Sequence, residues 1–274
     1  MTDNLYIVST PIGNLDDLSM RALKVLREVD IILAESVERT KILLSHYHIN
    51  KKIFSYNKDN EKRKINIVCE YLKSNDIALV TDAGTPSISD PGFFLLSNIP
   101  QTTKVIPIPG VSSLTCALSV SRIPINSFIF LGFLPKNEKD RRKKLMDAAD
   151  SNLPLCLFES KHRLVDLLEC ISEVYGENTK VGLFREMTKV YETIVHDKVD
   201  ELIRSFKTVT PRGEFVIIVE TMQTASPEKP YAQIIKGLME QNYSNKNIVD
   251  IIKLLSNDSK KEIYKNVLSI RQDE

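Results

Sequence analysis

Residues 76–92 read DIALVTDAGTPSISDPG, and the fold follows from the way this stretch changes character halfway along. Ile77, Ala78, Leu79 and Val80 are apolar without polar alternation, the pattern of a short strand covered on both faces of a parallel sheet. Between Asp82 and Gly92 stand two glycines, two prolines and two aspartates. That composition neither prolongs a strand nor starts a long helix. The backbone must therefore turn at the carboxyl end of a buried strand, which is where open α/β sheets bind ligands. One Gly and one Asp would satisfy an ordinary βα turn, so the excess points to a ligand loop.

Outward from this stretch, strands and helices alternate. Residues 5–9 (LYIVS) read as a strand, followed by the turn Thr10-Pro11-Ile12-Gly13-Asn14. A helix capped by Asp16 or Asp17 carries Leu18, Ala22, Val25, Leu26 and Val29 on one stripe. Residues 31–34 make a second buried strand; a helix over 40–47 leads into a basic loop, and 61–73 form a further helix. Residues 93–98 predict a short helix and 104–108 a strand, ending at Pro109-Gly110-Val111-Ser112-Ser113, which opens a helix over 114–120. The fold class is α/β, with a mostly parallel sheet in residues 1–125. An apolar strand at 128–134 begins a second α/β domain, residues 126–222. Its strands fall at 155–158, 180–184, 191–196 and 215–220, and its helices at 163–175 and 199–206. Two consecutive strands without a helix between them imply a mixed sheet. Residues 223–274 hold the rest of a linker (TMQTASPEKP, 221–230) and a helical tail, with Ile234, Ile235, Leu238, Ile248, Ile251, Ile252, Leu255, Ile263, Tyr264, Val267 and Leu268 in helical period. The tail reads as a three-helix module akin to a helix-turn-helix or as plain packing; nothing marks a recognition helix.

At 274 residues, with 42% hydrophobic and 27% charged residues, the chain has the composition of a globular protein with room for two cores. No apolar run approaches a membrane span, and MTDNLYIVST places no basic segment ahead of a hydrophobic one. The expectation is a cytoplasmic protein without membrane contact. Cys69, Cys116, Cys156 and Cys170 form no CxxC pair, and His46, His48, His162 and His196 complete no zinc spacing with them. Reduced thiols are expected, with neither disulfides nor a metal. Net charge is only +1, yet two stretches are strongly basic. Residues 48–64 include Lys51, Lys52 and Arg63 with Phe54 and Tyr56 interleaved, and residues 136–144 include Arg141, Arg142 and Lys143. Such runs are solvated faces or sites that steer a polyanion such as RNA.

Three turns follow predicted strands: PIGN at 11–14, DAGTP at 82–86 and PGVSS at 109–113. Each supplies a glycine and backbone N–H groups that can meet a ligand. The chain has no GxGxxG after the first strand and no GxxxxGK[ST], which argues against dinucleotide and P-loop chemistry. Their repetition points to one shared nucleotide-like cofactor.

Taken together, LYIVSTPIGNLDDLS (5–19), DAGTPSISDPG (82–92), GFLP (132–135), FESKHRL (158–164), REMTK with YET after it (185–193) and RGEFVIIVE (212–220) resemble, in order and spacing, the ribosomal RNA small subunit methyltransferase I family of the tetrapyrrole methylase superfamily. The resemblance spans residues 5 to about 222, with a weaker echo in the tail. It implies two α/β domains of the tetrapyrrole methylase type with a cofactor cleft between them, S-adenosylmethionine as cofactor and a homodimer. It also implies 2′-O-methylation of a cytidine ribose in the decoding region of 16S ribosomal RNA within the small subunit. Carried over by position, it puts the cofactor against Ile12, Gly13, Asp82, Gly84, Thr85, Pro86, Ile88, Ser112 and Ser113, closed by Phe158 and Met187. RNA would meet Lys51, Lys52, Arg63, Arg141, Arg142 and Lys143. Candidate proton acceptors are Glu35, Glu159 and Glu186; Lys161, Arg163, Arg185 and Lys189 could hold a phosphate or lower the hydroxyl pKa. Each reads equally well as a salt-bridged residue between domains. The family's Glu-Asp-Thr-Arg is here Glu35, Ser36, Val37, Glu38, with Arg39 one place late, and Val111 stands where proline is usual. The first departure removes an acid and shifts a cation beside the cleft, so it bears on RNA contacts and rate more than on the cofactor fold. Two rival functions remain: a methyltransferase for a small tetrapyrrole, and a ribosome-binding assembly factor with reduced catalysis.

Overall fold

The computed structural model describes residues 4–208, 212–221, 231–256 and 258–272. It divides into two compact units, Met1–Thr221 and Met222–Glu274. The two sheets that the sequence assigns to residues 1–125 and 126–222 lie in the first of these.

The first sheet is built from β1 (Asn4–Val8), α1 (Met20–Glu28), β2 (Ile31–Ala34), α2 (Val37–His46), β3 (Lys52–Ser55), α3 (Glu61–Leu72), β4 (Ile77–Val80), α4 (Phe93–Asn98), β5 (Lys104–Ile108) and α5 (Ser113–Ser119). Its strand order is β3-β2-β4-β1-β5, with every pair parallel. Side-chain alternation along the strands creates two cores. Ile32, Ala34, Ala78 and Val80 pack with Ala22, Val25 and Leu26 of α1 and Leu43 and Leu44 of α2. Ile31, Leu33, Ile77 and Leu79 face the other way, onto Val68 and Leu72 of α3 and Leu95 of α4. A strand covered on both faces has no polar side, which is why IALV reads as a continuous apolar run.

Two sequence expectations change. Asp16 and Asp17 lie in a 3-10 turn capped by Asn14, and α1 is capped instead by Ser19, whose Oγ accepts from Ala22 N at 3.1 Å. Ser19 also donates to Pro109 O at 3.2 Å, tying the helix start to the β5 turn. Ser19→Ala should lower stability by about 1 kcal/mol, measurable as a reduced urea midpoint. The stretch predicted as a basic loop holds the edge strand β3, where Lys52 lies 5.0 Å above the Phe54 ring.

The second sheet comprises β6 (Ile129–Phe133), α6 (Glu138–Ala149), β7 (Leu155–Ser160), α7 (Leu164–Tyr175), β8 (Lys180–Arg185), β9 (Thr193–Lys198), α8 (Val199–Thr208) and β10 (Glu214–Val219). Its order is β6-β7-β10-β8-β9; only β6–β7 is parallel, so the sheet is mixed as expected. Leu155, Leu157, Phe215, Ile217 and Val219 face the core under α6, α7 and α8. Cys156, Phe184, Val216 and Ile218 face the opposite way and pack against Ala117 of α5 and Ile123. The last helix of the first sheet is thus the seat of the second, and this contact fixes the two strand edges across a cleft.

The second unit holds α9 (Ala232–Glu240), α10 (Asn245–Leu255) and α11 (Lys260–Gln272). Tyr231, Ile235, Ile248, Val249, Ile252, Ile263 and Val267 give it a core of its own. Apart from Thr221, the predicted linker lies outside the described residues. Among the described residues no helix is long and apolar enough to cross a membrane.

Candidate active site between the two sheets

Three turns leave the carboxyl ends of β1, β4 and β5 and are zipped together by hydrogen bonds. Thr10 N donates to Gly84 O at 2.8 Å and Gly84 N returns a bond to Thr10 O at 3.0 Å. Thr10 Oγ1 donates to Thr81 O at 3.1 Å, Ser9 Oγ lies 2.9 Å from Thr85 Oγ1, and Thr85 Oγ1 donates to Val111 O at 3.4 Å. Gly84 sits at φ +81°, a conformation that side-chain-bearing residues rarely adopt. The loop after it is held in further left-handed steps, Ser87 at +71° and Ser89 at +66°, before Gly92 at +140°. Lys58 Nζ donates to Ser89 O at 3.0 Å, so the first basic stretch braces this loop from outside.

These turns face the second sheet across a cleft of ≈ 270 Å³. Of the predicted cofactor residues, Ile12, Asp82, Gly84, Thr85, Ile88, Ser112, Ser113, Phe158 and Met187 line it. Gly13 and Pro86 do not, although Gly13 lies so close to Lys189 that a Cβ there would be 2.4 Å from Cγ. Asn14 N donates to Thr188 Oγ1 at 3.1 Å, which latches the first turn to the loop after β8. That loop is sharply bent, with Glu186 at φ +49° and Thr188 at +64°.

The predicted proton acceptors have distinct surroundings. Glu35 Oε2 accepts from Thr81 Oγ1 at 2.7 Å and from Asp82 N at 3.3 Å. Glu186 Oε1 accepts from Glu214 N at 3.0 Å and Lys189 Nζ at 3.1 Å. Burial pushes the Glu186 carboxyl up, but these donors and the Lys189 charge outweigh it and hold it below the usual range. Glu159 is 1% exposed; its Oε1 accepts from Ser160 N at 2.7 Å, and Arg163 Nη2 stands 3.2 Å from Oε2. Arg163 also donates to Leu134 O at 2.8 Å and Pro135 O at 3.1 Å. This pair ties β7 to the end of β6, a structural arrangement at the cleft wall.

Several candidates are not brought into the cleft. Lys161 is exposed outside it, and Arg185 Nε donates to Arg212 O at 2.7 Å. None of the six predicted RNA residues lines it. Lys52, Arg63, Arg142 and Lys143 are exposed and Lys51 half-buried, with Arg142 paired to Glu173 at 2.7 Å. Arg141 is a correction: at 6% exposure it points into the core beside Cys170, because its helical position falls on the buried stripe with Leu145 and Ala148.

Other lining residues were not assigned from sequence: Thr81, Asp90, Phe133, Phe184 and Glu214. Arg39, displaced by one position, still reaches the cleft, where Nη1 lies 3.5 Å from Asp82 Oδ2. Ser36 caps α2, and its N donates to Asp82 Oδ1 at 3.0 Å. The altered segment thus anchors Asp82 through both a backbone donor and a guanidinium. Burial and the neighbouring Glu35 nevertheless raise the Asp82 carboxyl pKa.

A family model described as tetrapyrrole (corrin/porphyrin) methylases matches residues 4–203. A ribosomal RNA small subunit methyltransferase I of Haemophilus influenzae is 44% identical over 225 residues, covering 80% of this chain and 79% of that protein. One of Buchnera aphidicola subsp. Acyrthosiphon pisum is 37% identical over 270 residues, 96% of each. One of Thermotoga maritima is 43% identical over 217 residues, which is 78% of this chain and 97% of that protein. Among solved structures, a diphthine synthase aligns with TM-score 0.63 at 14% identity, covering 79% of this chain and 89% of that one. A cobalt precorrin-4 methyltransferase aligns with TM-score 0.60 at 17% identity, covering 79% and 94%. At such identities these two likenesses show the fold alone.

Proposed function

The chain belongs to the tetrapyrrole methylase family and, within it, to the ribosomal RNA small subunit methyltransferase I family; from that footing we propose that this methyltransferase uses S-adenosylmethionine to methylate a cytidine ribose 2′-oxygen in 16S ribosomal RNA. The observation that carries this is the convergence of three glycine-bearing turns, Phe158 and Met187 on a single cleft. The reading includes a cytoplasmic homodimer acting on the small ribosomal subunit, with RNA contacts from Lys51, Lys52, Arg63, Arg142 and Lys143.

The cleft fits the chemistry of the cofactor. Gly84 takes the positive-φ turn, at +81°, that sets its backbone in the cleft lining, and Ile88 and Phe133, 40% and 55% exposed, offer apolar walls to an aromatic base. Glu35, Asp82 and Asp90 supply a negative field for a cation. S-adenosylmethionine, when bound, supplies an electrophilic methyl group on a sulfonium. Most of the acceleration comes from alignment by the two walls, which the seat of α5 on the second sheet holds at fixed spacing.

Incubation with labelled S-adenosylmethionine and small ribosomal subunits should place label on 16S RNA, and ribose-methylation mapping should locate it on one cytidine. Label transferred to a precorrin or uroporphyrinogen, with none on the subunit, would replace this reading by the small-molecule alternative.

A further inference from the structure

Five other carboxylates line the cleft with Asp90, and each of them except the exposed Glu214 is tied to fixed donors. Glu35 accepts from Thr81 and Asp82, Asp82 from Ser36 with Arg39 alongside, Glu159 from Ser160 with Arg163 alongside, and Glu186 from Glu214 and Lys189. Such donors occupy the lone pairs that would take a substrate proton, at Asp82 as well, although burial and Glu35 raise its carboxyl pKa. Asp90 differs. It lines the cleft half-buried, between the left-handed Ser89 and Gly92, with the Thr81 hydroxyl as a nearby influence that lowers its carboxyl pKa. That hydroxyl has a single proton, and Glu35 Oε2 lies 2.7 Å from its oxygen. One proton cannot serve both acids, and the hydrogen bond goes to Glu35, which leaves the Asp90 carboxylate without that donor.

We propose that Asp90 is the general base that takes the proton from the ribose 2′-hydroxyl, with Thr81 and Glu35 as positioning residues behind it. This rests on the ribose-methylation reading above. In the step, the 2′-oxygen forms a bond to the methyl carbon, and the carbon–sulfur bond breaks with its electron pair passing to sulfur. The hydroxyl proton goes to the Asp90 carboxylate and from there to water.

The charges around Asp90 support the assignment. Burial and then Glu35 push its carboxyl up to about 6, with Asp82 adding to this, while Thr81 and Lys58 oppose it. A base with such a pKa is ionised at neutral pH yet still takes up a proton readily. The same shift has a consequence in the free protein. An acid with a raised folded pKa binds more protons in the native state, so its contribution to stability is present at low pH and lost as pH rises from about 4 to about 6.

The test compares wild type with Asp90→Asn and Glu35→Gln. At saturating S-adenosylmethionine and small subunits, Asp90→Asn should lower the single-turnover rate by roughly 10²–10⁴-fold and abolish the rising limb of its pH profile. Affinity for S-adenosylhomocysteine should change by less than about tenfold. Glu35→Gln should move that limb to lower pH. In the ligand-free protein, the stability difference between wild type and Asp90→Asn should drift between pH 4 and 6 and be level above. A wild type that methylates ribose with Asp90→Asn equally active, or with the limb retained, overturns this inference alone. A flat stability difference across pH 4–6 also overturns it, independently of activity. A wild type that methylates no ribose overturns the proposed substrate and this inference together.

Discussion

Arg163→Met is expected to destabilise the two-sheet unit by about 3–5 kcal/mol, seen as a large fall in the urea midpoint. Glu159 is buried at the end of β7, and Arg163 supplies the opposite charge at 3.2 Å. Among the described residues neither Glu159 Oε2 nor Arg163 Nε makes a hydrogen bond, so the pair is held by charge without an aligned bond between them. Methionine would leave that carboxylate facing an apolar chain and would strip Leu134 and Pro135 of their guanidinium donor. Desolvation is the larger effect, since a surface pair would contribute at most about 1 kcal/mol. Adding Glu159→Gln should recover most of the loss by removing the orphaned charge. A fall below about 1 kcal/mol in the single variant would mean water reaches Glu159.

Gly92→Val should reduce cofactor affinity by roughly tenfold or more while the fold persists. Gly92 sits at φ +140°, and a Cβ there would lie 2.3 Å from Ser87 Oγ, 3.1 Å from Leu79 Cδ2 and 3.3 Å from Ser87 N. The hydroxyl can move aside; the backbone and Leu79 cannot without shifting the loop. Strain of about 1–3 kcal/mol is relieved by re-forming residues 87–92, and these carry one wall of the cleft. Gly176 is the control. It too has a positive φ, +94°, but none of the described residues lies within 4 Å of an added Cβ. Gly176→Ala should therefore cost about 1 kcal/mol of stability and leave cofactor affinity unchanged in isothermal titration. Equal affinity losses in both variants would show that general destabilisation, rather than the shape of this loop, governs binding.

Much of the architecture was legible because burial on both faces leaves a local mark. The runs IALV and IILA, the turns after β1, β4 and β5, and the successive strands β8 and β9 are all visible within windows of a few residues. Errors arose where local signals competed. Asp16 and Asp17 looked like caps, but Ser19 stands where the helix begins. Arg141 looked like part of a basic surface, but the helical period turns it inward. Lys52 looked like loop, but it opens an edge strand with its amine over an aromatic ring.

By itself, the chain determined the strands, the glycine turns and the family-like motifs, since each depends on residues near one another in sequence. The tertiary structure alone decided which acid takes which hydrogen-bond donor. Glu35 follows β2 and Thr81 and Asp90 follow β4, and Glu35 meets Thr81 only because β2 and β4 are paired in register. Arg39 reaches Asp82 for the same reason, despite its shift along the chain. Electrostatic partners are set by distance in space, which a linear spacing of residues does not encode; the ordering of strands does.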